Sequence, residues 1–384
     1  MTATDPGVAV LTRLVGPPEG PGEPLWLRSP LAAGSGIFRV AAHAAVREAA
    51  LLGAALPGRG PTSVYRLPVQ LLRIGLRSRA RALLAHGAAV YPVAPPGGRL
   101  LDRLAYDAGL AVCGVPRPGG GGVVSVRGRD ADGRWRLLRV GPPGGFNDPA
   151  RAAEGLRRAA VARSPFIPRS LAEGVTHGLS WTVEEMLAGQ RPPRLTAVLL
   201  ADAAAFCANL PPSGAPARPG AGARALAGWF PDRAGGLSRL ARVLDDTLGD
   251  LPGVVRHGDL WSGNLLARGG RLTGVVDWDA WAEDGVPALD LVHLVATEER
   301  LRLRRPIGAV YAKMPWRRPE VRALLGQWWP ALDRNLARVD ALGTAWWSSQ
   351  LASDIARTPA LAHNPRWVSD NIHAVLDPPR HARS

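Results

Sequence analysis

Two carboxylates and an amide recur at close spacing in Arg256-His257-Gly258-Asp259-Leu260-Trp261-Ser262-Gly263-Asn264 and in the downstream stretch Val275-Val276-Asp277-Trp278-Asp279. Hard oxygen donors of this kind suit phosphoryl transfer. That reaction needs an acceptor hydroxyl held in line, its proton accepted, and the phosphate charge neutralised by Mg²⁺. Asp259, Asn264 and Asp277 can supply the oxygens. Val254-Val255-Arg256 reads as a short strand, and Gly258 and Gly263 permit tight turns after it, so that Asp259 and Asn264, five positions apart, converge on one cleft. Leu265-Leu266 re-enters the core, a turn over 267–271 comes next, and a second apolar strand over 272–276 delivers Asp277 beside Asn264. Taken singly, Asp and Asn are turn formers and caps. Here fixed offsets and two flanking strands coincide, which favours the chemical reading.

These residues resemble the aminoglycoside phosphotransferase and choline kinase family, whose pattern is His-Gly-Asp, four residues, Asn, then an apolar strand ending in Asp-Trp-Asp or Asp-Trp-Glu. It is a cousin of the protein-kinase catalytic loop. The likeness continues through Gly285-Val286-Pro287-Ala288-Leu289-Asp290-Leu291, similar to the family's Gly-x-Pro-x-x-Asp-Leu helix start. The resemblance implies Asp259 as the catalytic carboxylate, Asn264 and Asp277 as Mg²⁺ ligands, and His257 and Asp290 as supports of the loop. It also implies ATP as the phosphate donor. The implied fold is α/β (α+β): a two-lobed protein-kinase-like structure with a small β-rich N-lobe and a larger helical C-lobe, here with an extra N-terminal segment. The likeness covers roughly residues 113 to 300 and is most specific from 256 to 291.

A nucleotide-binding lobe should then precede the cleft. Pro118-Gly119-Gly120-Gly121-Gly122-Val123 offers a flexible turn whose amides can approach phosphates. With 45 glycines in the chain, such a run is by itself more often a plain loop. Trp135-Arg136-Leu137-Leu138-Arg139-Val140 reads as a strand behind an Asp132-Gly133 turn and resembles the family strand that normally ends in a phosphate-contacting lysine. Here the cation is Arg139, which forks two hydrogen bonds where lysine presents a point charge. The substitution is less surprising because the chain has one lysine, Lys313, among 47 basic residues. Asp148 and Pro149 open a helix as N-cap and first residue, and Glu154 in its second turn can pair with Arg139 or be taken by Arg157 or Arg158. Leu179 to Gly189 resembles the lobe-connecting strand and hinge, which puts Glu185 and Met186 against an adenine through their backbone groups.

The 46% hydrophobic and 21% charged composition is that of a globular protein, with no apolar run of membrane-spanning length. Two cysteines, Cys113 and Cys207, support neither a disulfide framework nor a zinc cluster, and the first residues lack a secretory pattern. A cytoplasmic location is the expectation. The net charge of +15 suggests attraction of anions. Its arginines are dispersed, and the densest groups, over 300–305 and 77–81, lack the aromatics of a single-strand platform, which argues against specific nucleic-acid binding.

The chain divides by composition into a loose Pro/Gly-rich arm over 1–24, an accessory region over 25–112 with helical spacing over 38–52 and 69–84, a nucleotide lobe and hinge over 113–190, and a helical lobe over 191–384. Helices are expected over 195–210 and 237–251, with two or three more after Asp290. The leading expectation is an ATP- and Mg²⁺-dependent kinase of a small-molecule hydroxyl. The alternatives are a catalytically inactive nucleotide-binding scaffold and nucleotidyl transfer on the same fold. The acceptor stays open: the acidic residues from Asp277 to Asp290 suit a polycationic aminoglycoside, whereas the basic chain as a whole does not, and a neutral sugar, amino sugar or amino alcohol is equally allowed.

Overall fold

The structure, a computed structural model, describes residues 100–113, 117–118, 122–144 and 147–377, with short pieces at 10, 14, 25–28, 37–40 and 91–92. Gly119, Gly120 and Gly121, the stretch over 69–84, and residues 41–52 lie outside the described residues. The chain forms two compact units, one of residues 1–157 and 168–193, the other of 158–167 and 194–384. The second unit therefore begins three residues later than the composition suggested and takes in a short earlier stretch.

The first unit is built on antiparallel strands. A two-stranded ribbon pairs β1 (Leu25–Arg28) with β2 (Ile37–Val40), so the helical spacing read from Phe38 does not begin there. The main sheet has seven strands: β3 (Tyr91–Pro92), β4 (Leu110–Cys113), β5 (Arg117–Pro118), β6 (Val124–Asp130), β7 (Trp135–Gly141), β8 (Ser170–Thr176) and β9 (Leu179–Glu185). They run in the order β3-β4-β6-β7-β9-β8, with β5 also paired to β6. Alternation decides the strands: along β6, Val124 and Val126 are buried while Ser125 and Arg127 are half-buried, the period of a sheet covered on one face. Helix α1 (Leu100–Asp107) sets Leu101, Leu104 and Ala105 on one face, in a core with Val126, Leu138, Val140 and Val183. Leu14 is fully buried in the same core with Val10 packed against it, so the arm expected to be loose is anchored at this point.

In the second unit, helices predominate. After α2 (Pro149–Ala160), which straddles the division, come α3 (Ala197–Ala208), capped by Thr196, then α4 (Ala221–Trp229) and α5 (Ala234–Leu248). Short strands follow: β10 (Pro212–Pro216), β11 (Pro252–Arg256) and β14 (Ala282–Gly285) form one small sheet, and β12 (Leu265–Arg268) with β13 (Arg271–Val275) forms a hairpin. Beyond them lie α6 (Leu289–Leu303), α7 (Ile307–Lys313), α8 (Pro319–Trp328), α9 (Pro330–Asp333) and α10 (Leu336–Arg357), more helices than the two or three expected. Prolines at the first positions of α8 and α9 cut one helical stretch into pieces. Helix α10 is the unit's spine: Val339, Leu342, Trp346, Trp347, Leu351 and Ile355 are all buried along it. Gly222 of α4 fits against it only because it lacks a Cβ, which would stand 2.4 Å from the Ser349 nitrogen. Among the described residues no helix is long and apolar enough to cross a membrane.

Candidate active site

Strand β11 ends at Arg256, and the loop from His257 to Asn264 is shaped by three buried groups. The first is Asp290, in the first turn of α6. Its Oδ2 accepts from the His257 backbone N–H at 2.6 Å and its Oδ1 from that of Gly258 at 3.0 Å. The bend between these amides needs Gly258, whose φ is +82° and whose Cβ would lie 2.0 Å from the Ala280 carbonyl oxygen. Gly263 plays a different part from the turn expected of it. It has no positive φ; it makes room for the Trp261 ring, which a Cβ would meet at 2.2 Å.

His257 is the second group. It is fully buried, its Nε2 stands 3.0 Å from the Val276 carbonyl, and its Nδ1 accepts from the Asp259 backbone N–H at 3.3 Å. Both bonds are satisfied by the neutral ring with its proton on Nε2. Burial lowers the ring's pKa and outweighs the opposing charges of Asp290, Asp259 and Asp277. The ring thereby ties the loop to the strand end that carries Asp277, and the Trp278 ring packs on it edge-on at 4.8 Å.

The third group was not anticipated. His293, one turn beyond Asp290 on α6, puts Nε2 3.4 Å from Asp259 Oδ1. Its Nδ1 accepts from Trp346 Nε1–H of α10 at 3.3 Å, so the imidazole proton is fixed on Nε2, toward Asp259 and Thr297 Oγ1. Further along α6, Glu298 accepts from the Ser262 backbone N–H at 3.0 Å. A hint was present in the sequence. Once Asp290 faces the loop, positions three, seven and eight residues on share its side of the helix, and these are His293, Thr297 and Glu298.

Asp259 itself is only partly exposed, at 34% of its side chain. Burial would raise its pKa, but the hydrogen bond from His293 and then the charge of Arg357 hold the carboxyl below the ordinary aspartate value. Asn264 Nδ2 donates to the Asp259 carbonyl at 2.9 Å and to its Oδ2 at 3.3 Å, so Oδ1 is the amide atom that could coordinate a cation. The hairpin brings Asp277 close to it: Leu265 pairs with Val275, and the Val276 N–H donates to the Asn264 carbonyl at 2.9 Å. The turn is tighter than the five residues expected, only Gly269-Gly270, both at positive φ. Asp277 has φ +73° and ψ +66°, a left-handed backbone uncommon for a residue with a Cβ. Among the described residues no group of three His, Cys, Asp or Glu side chains gathers as a cage. The oxygen donors at hand are instead one amide and one carboxylate, a set that fits Mg²⁺, which keeps several waters and takes phosphate oxygens.

In the first unit, Pro118 pairs with Val124, and Gly122, the described glycine of the run, is buried at φ +86°. Arg139 on β7 is buried opposite Ser125 and Thr182, with Nη1 3.7 Å from Glu184 Oε1 of β9. Glu154 binds Arg157 through Nε at 2.9 Å and Nη2 at 2.7 Å, the helical neighbour weighed against Arg139, and Arg157 also reaches Glu173 at 2.7 Å. Arg158 pairs instead with Glu283, at 3.2 Å. Asp148 caps α2 through the Ala150 N–H at 2.9 Å. Glu185 ends β9 in an ion pair with Arg169 at 2.9 Å, a hydrogen bond that lowers its pKa against the effect of burial, and Met186 is half-buried beside it in the chain.

Residues 120–325, more than half of the chain's 384, match the sequence profile of the Phosphotransferase enzyme family (APH). The chain belongs to that family. Similar solved structures include a thermostable mutant of aminoglycoside phosphotransferase APH(4)-Ia in ternary complex with ADP and hygromycin B, at 16% identity over 71% of this chain and 96% of that one, with a TM-score of 0.48. Macrolide 2'-phosphotransferase MphH from Brachybacterium faecium is similar at 20% identity over 72% and 97%, with a TM-score of 0.46. Aminoglycoside-3'-phosphotransferase of type VIII is similar at 22% identity over 59% and 90%, with a TM-score of 0.38. A search of curated proteins returns no match.

Proposed function

We propose that the protein transfers the γ-phosphoryl group of ATP to a hydroxyl of a small molecule, in the presence of Mg²⁺. The observation that carries this reading is the setting of Asp259, a partly exposed carboxylate flanked by His293 and Asn264 in a loop held by Asp290 and His257. Asp259 accepts a hydrogen bond from the acceptor hydroxyl and aims its oxygen at the phosphorus. As the new O–P bond forms and the bond to the ADP leaving group breaks, the hydroxyl proton passes to Asp259. A carboxyl with a lowered pKa is a weak base, so its contribution is chiefly positioning, which suits a loose transition state in which the nucleophile keeps its proton until late.

Asn264 Oδ1 and Asp277 are the proposed holders of the metal, which when bound neutralises charge on the phosphate oxygens. The glycine run, Arg139, Glu154 and the backbone at Glu185 and Met186 are the proposed nucleotide contacts. Membership of the phosphotransferase family supports ATP as donor. The test is Asp259→Asn, with ADP release measured across a panel of sugars, amino sugars and amino alcohols. A loss on the order of 10²–10⁴-fold, with ATP binding retained, is expected. Undiminished turnover removes Asp259 from the mechanism, and nucleotide binding without transfer in the unaltered protein makes it a scaffold.

A further inference from the structure

The face of α6 that meets the loop continues past it. Arg300 lies seven residues beyond His293, two turns along the same side of the helix and roughly 10 Å away. On α10, Asp354 lies eight residues beyond Trp346, which holds His293, so the two helices that seat Asp259 run on to Arg300 and Asp354. These two residues line a cavity of about 400 Å³ together with Arg305, Arg366, Trp367 and Asp370. Its volume suits a small-molecule ligand.

Both carboxylates in this cavity are already engaged. Asp354 accepts from Gln350 Nε2 at 2.9 Å and stands 3.6 Å from Arg357, and Asp370 stands 3.8 Å from Arg366. Among the described residues neither Arg300 nor Arg305 has a carboxylate within ion-pair distance. The cavity thus offers two uncommitted guanidinium forks beside an indole face. Burial, which raises the pKa of Asp354 despite Arg357 and Arg300, further weakens the negative side of the balance. Arg357 links the two places, since it pairs with Asp354 and its charge also bears on Asp259.

We propose that the acceptor carries an anionic group, a carboxylate or a phosphate, held by Arg300 and Arg305 with its ring on Trp367, while its hydroxyl stands at Asp259. This rests on the phosphotransferase reading and narrows it: the substrate is a hydroxylated anion of sugar size, and a polycation is repelled. Four probes share one ring, namely glucose, glucosamine, glucuronate and glucose 6-phosphate. Binding to the full chain is measured by titration calorimetry and turnover by ADP release. At least one of the two anions should bind tenfold or more tightly than glucose and glucosamine, and which one does distinguishes carboxylate from phosphate. The Arg300→Gln/Arg305→Gln double variant should erase that preference and raise KM for the preferred anion at least tenfold with kcat within about twofold.

Equal or tighter binding of glucose or glucosamine, no measurable binding of either anion, or unchanged anion binding by the double variant overturns the proposal. Turnover of the neutral or cationic probe without an anion preference sinks the pocket assignment and leaves the phosphotransferase reading standing. Arginine-dependent anion binding with no ADP release from any probe does the reverse.

Discussion

The carboxylate of Asp290 holds two backbone N–H groups of the loop that carries Asp259, those of His257 at 2.6 Å and Gly258 at 3.0 Å, and it is buried. Asp290→Asn keeps the shape of the side chain and removes one of these bonds. The amide has one accepting oxygen, and its NH₂ must face the other backbone N–H. Hydrogen bonds to a charged acceptor are worth about 1.5–3 kcal/mol, and a buried donor left unpaired costs about 1–3 kcal/mol. One bond lost and the other reduced to a neutral one gives a destabilisation of about 2–4 kcal/mol. For a unit of this size that corresponds to a Tm lower by roughly 4–16 °C. Because the same amides set the position of Asp259, a shift of about 1 Å in the loop should cost on the order of 10²-fold in kcat. Scanning calorimetry of the full chain and ADP release measure the two effects. A Tm within about 2 °C of the parent together with unchanged turnover refutes the reasoning, because the loop would then keep its shape without the carboxylate.

The same geometry sets other outcomes. Asp259 should titrate below the ordinary aspartate value of 3.8, so its ionised form is present above that pH and is lost as pH falls through the lower folded value; His293→Gln should move the titration up, read from the carboxyl ¹³C shift. Trp346→Phe removes the N–H that fixes the His293 tautomer, and kcat should fall severalfold with the nucleotide KM unchanged, while ¹⁵N spectra show mixed tautomers. Glu299, held by Arg302 and Arg318, has its pKa lowered from 4.5 to about 2. Its stabilisation is complete above pH 4.5 and disappears as pH falls through about 2, so in acid melts Glu299→Gln should flatten the loss of stability over that window. Gly258→Ala forces a Cβ into the Ala280 carbonyl at a positive φ, and the variant should lose about 2 kcal/mol or more in denaturant titration, with turnover falling alongside.

The hairpin between Asn264 and Asp277 was legible because its information is local. A strand, a glycine at a forced bend, a Gly-Gly turn and a second strand each leave a signature within a few residues, and together they fix where Asp259, Asn264 and Asp277 lie along the chain. The helix cap at Asp148 was readable for the same reason. His293, Glu298 and Trp346 were not, because their partners stand 34, 36 and 53 positions away from them in sequence and nothing near them marks the contact. Trp346 illustrates the difficulty: it is buried against Trp316 as a core residue would be, yet its indole N–H also fixes a proton on His293. The number of helices after Asp290 was underestimated because prolines interrupt a stretch whose apolar spacing alone continues.

The left-handed backbone at Asp277 allows charge to be altered separately from shape. Asparagine tolerates that conformation nearly as well as aspartate, whereas branched and longer side chains do not. Exchange to Asn therefore gives an isosteric probe in which only one unit of negative charge is missing. Exchange to Glu lengthens the reach and also burdens the peptide unit, so the position is expected to accept very few replacements in a saturation library, for reasons of conformation as much as chemistry.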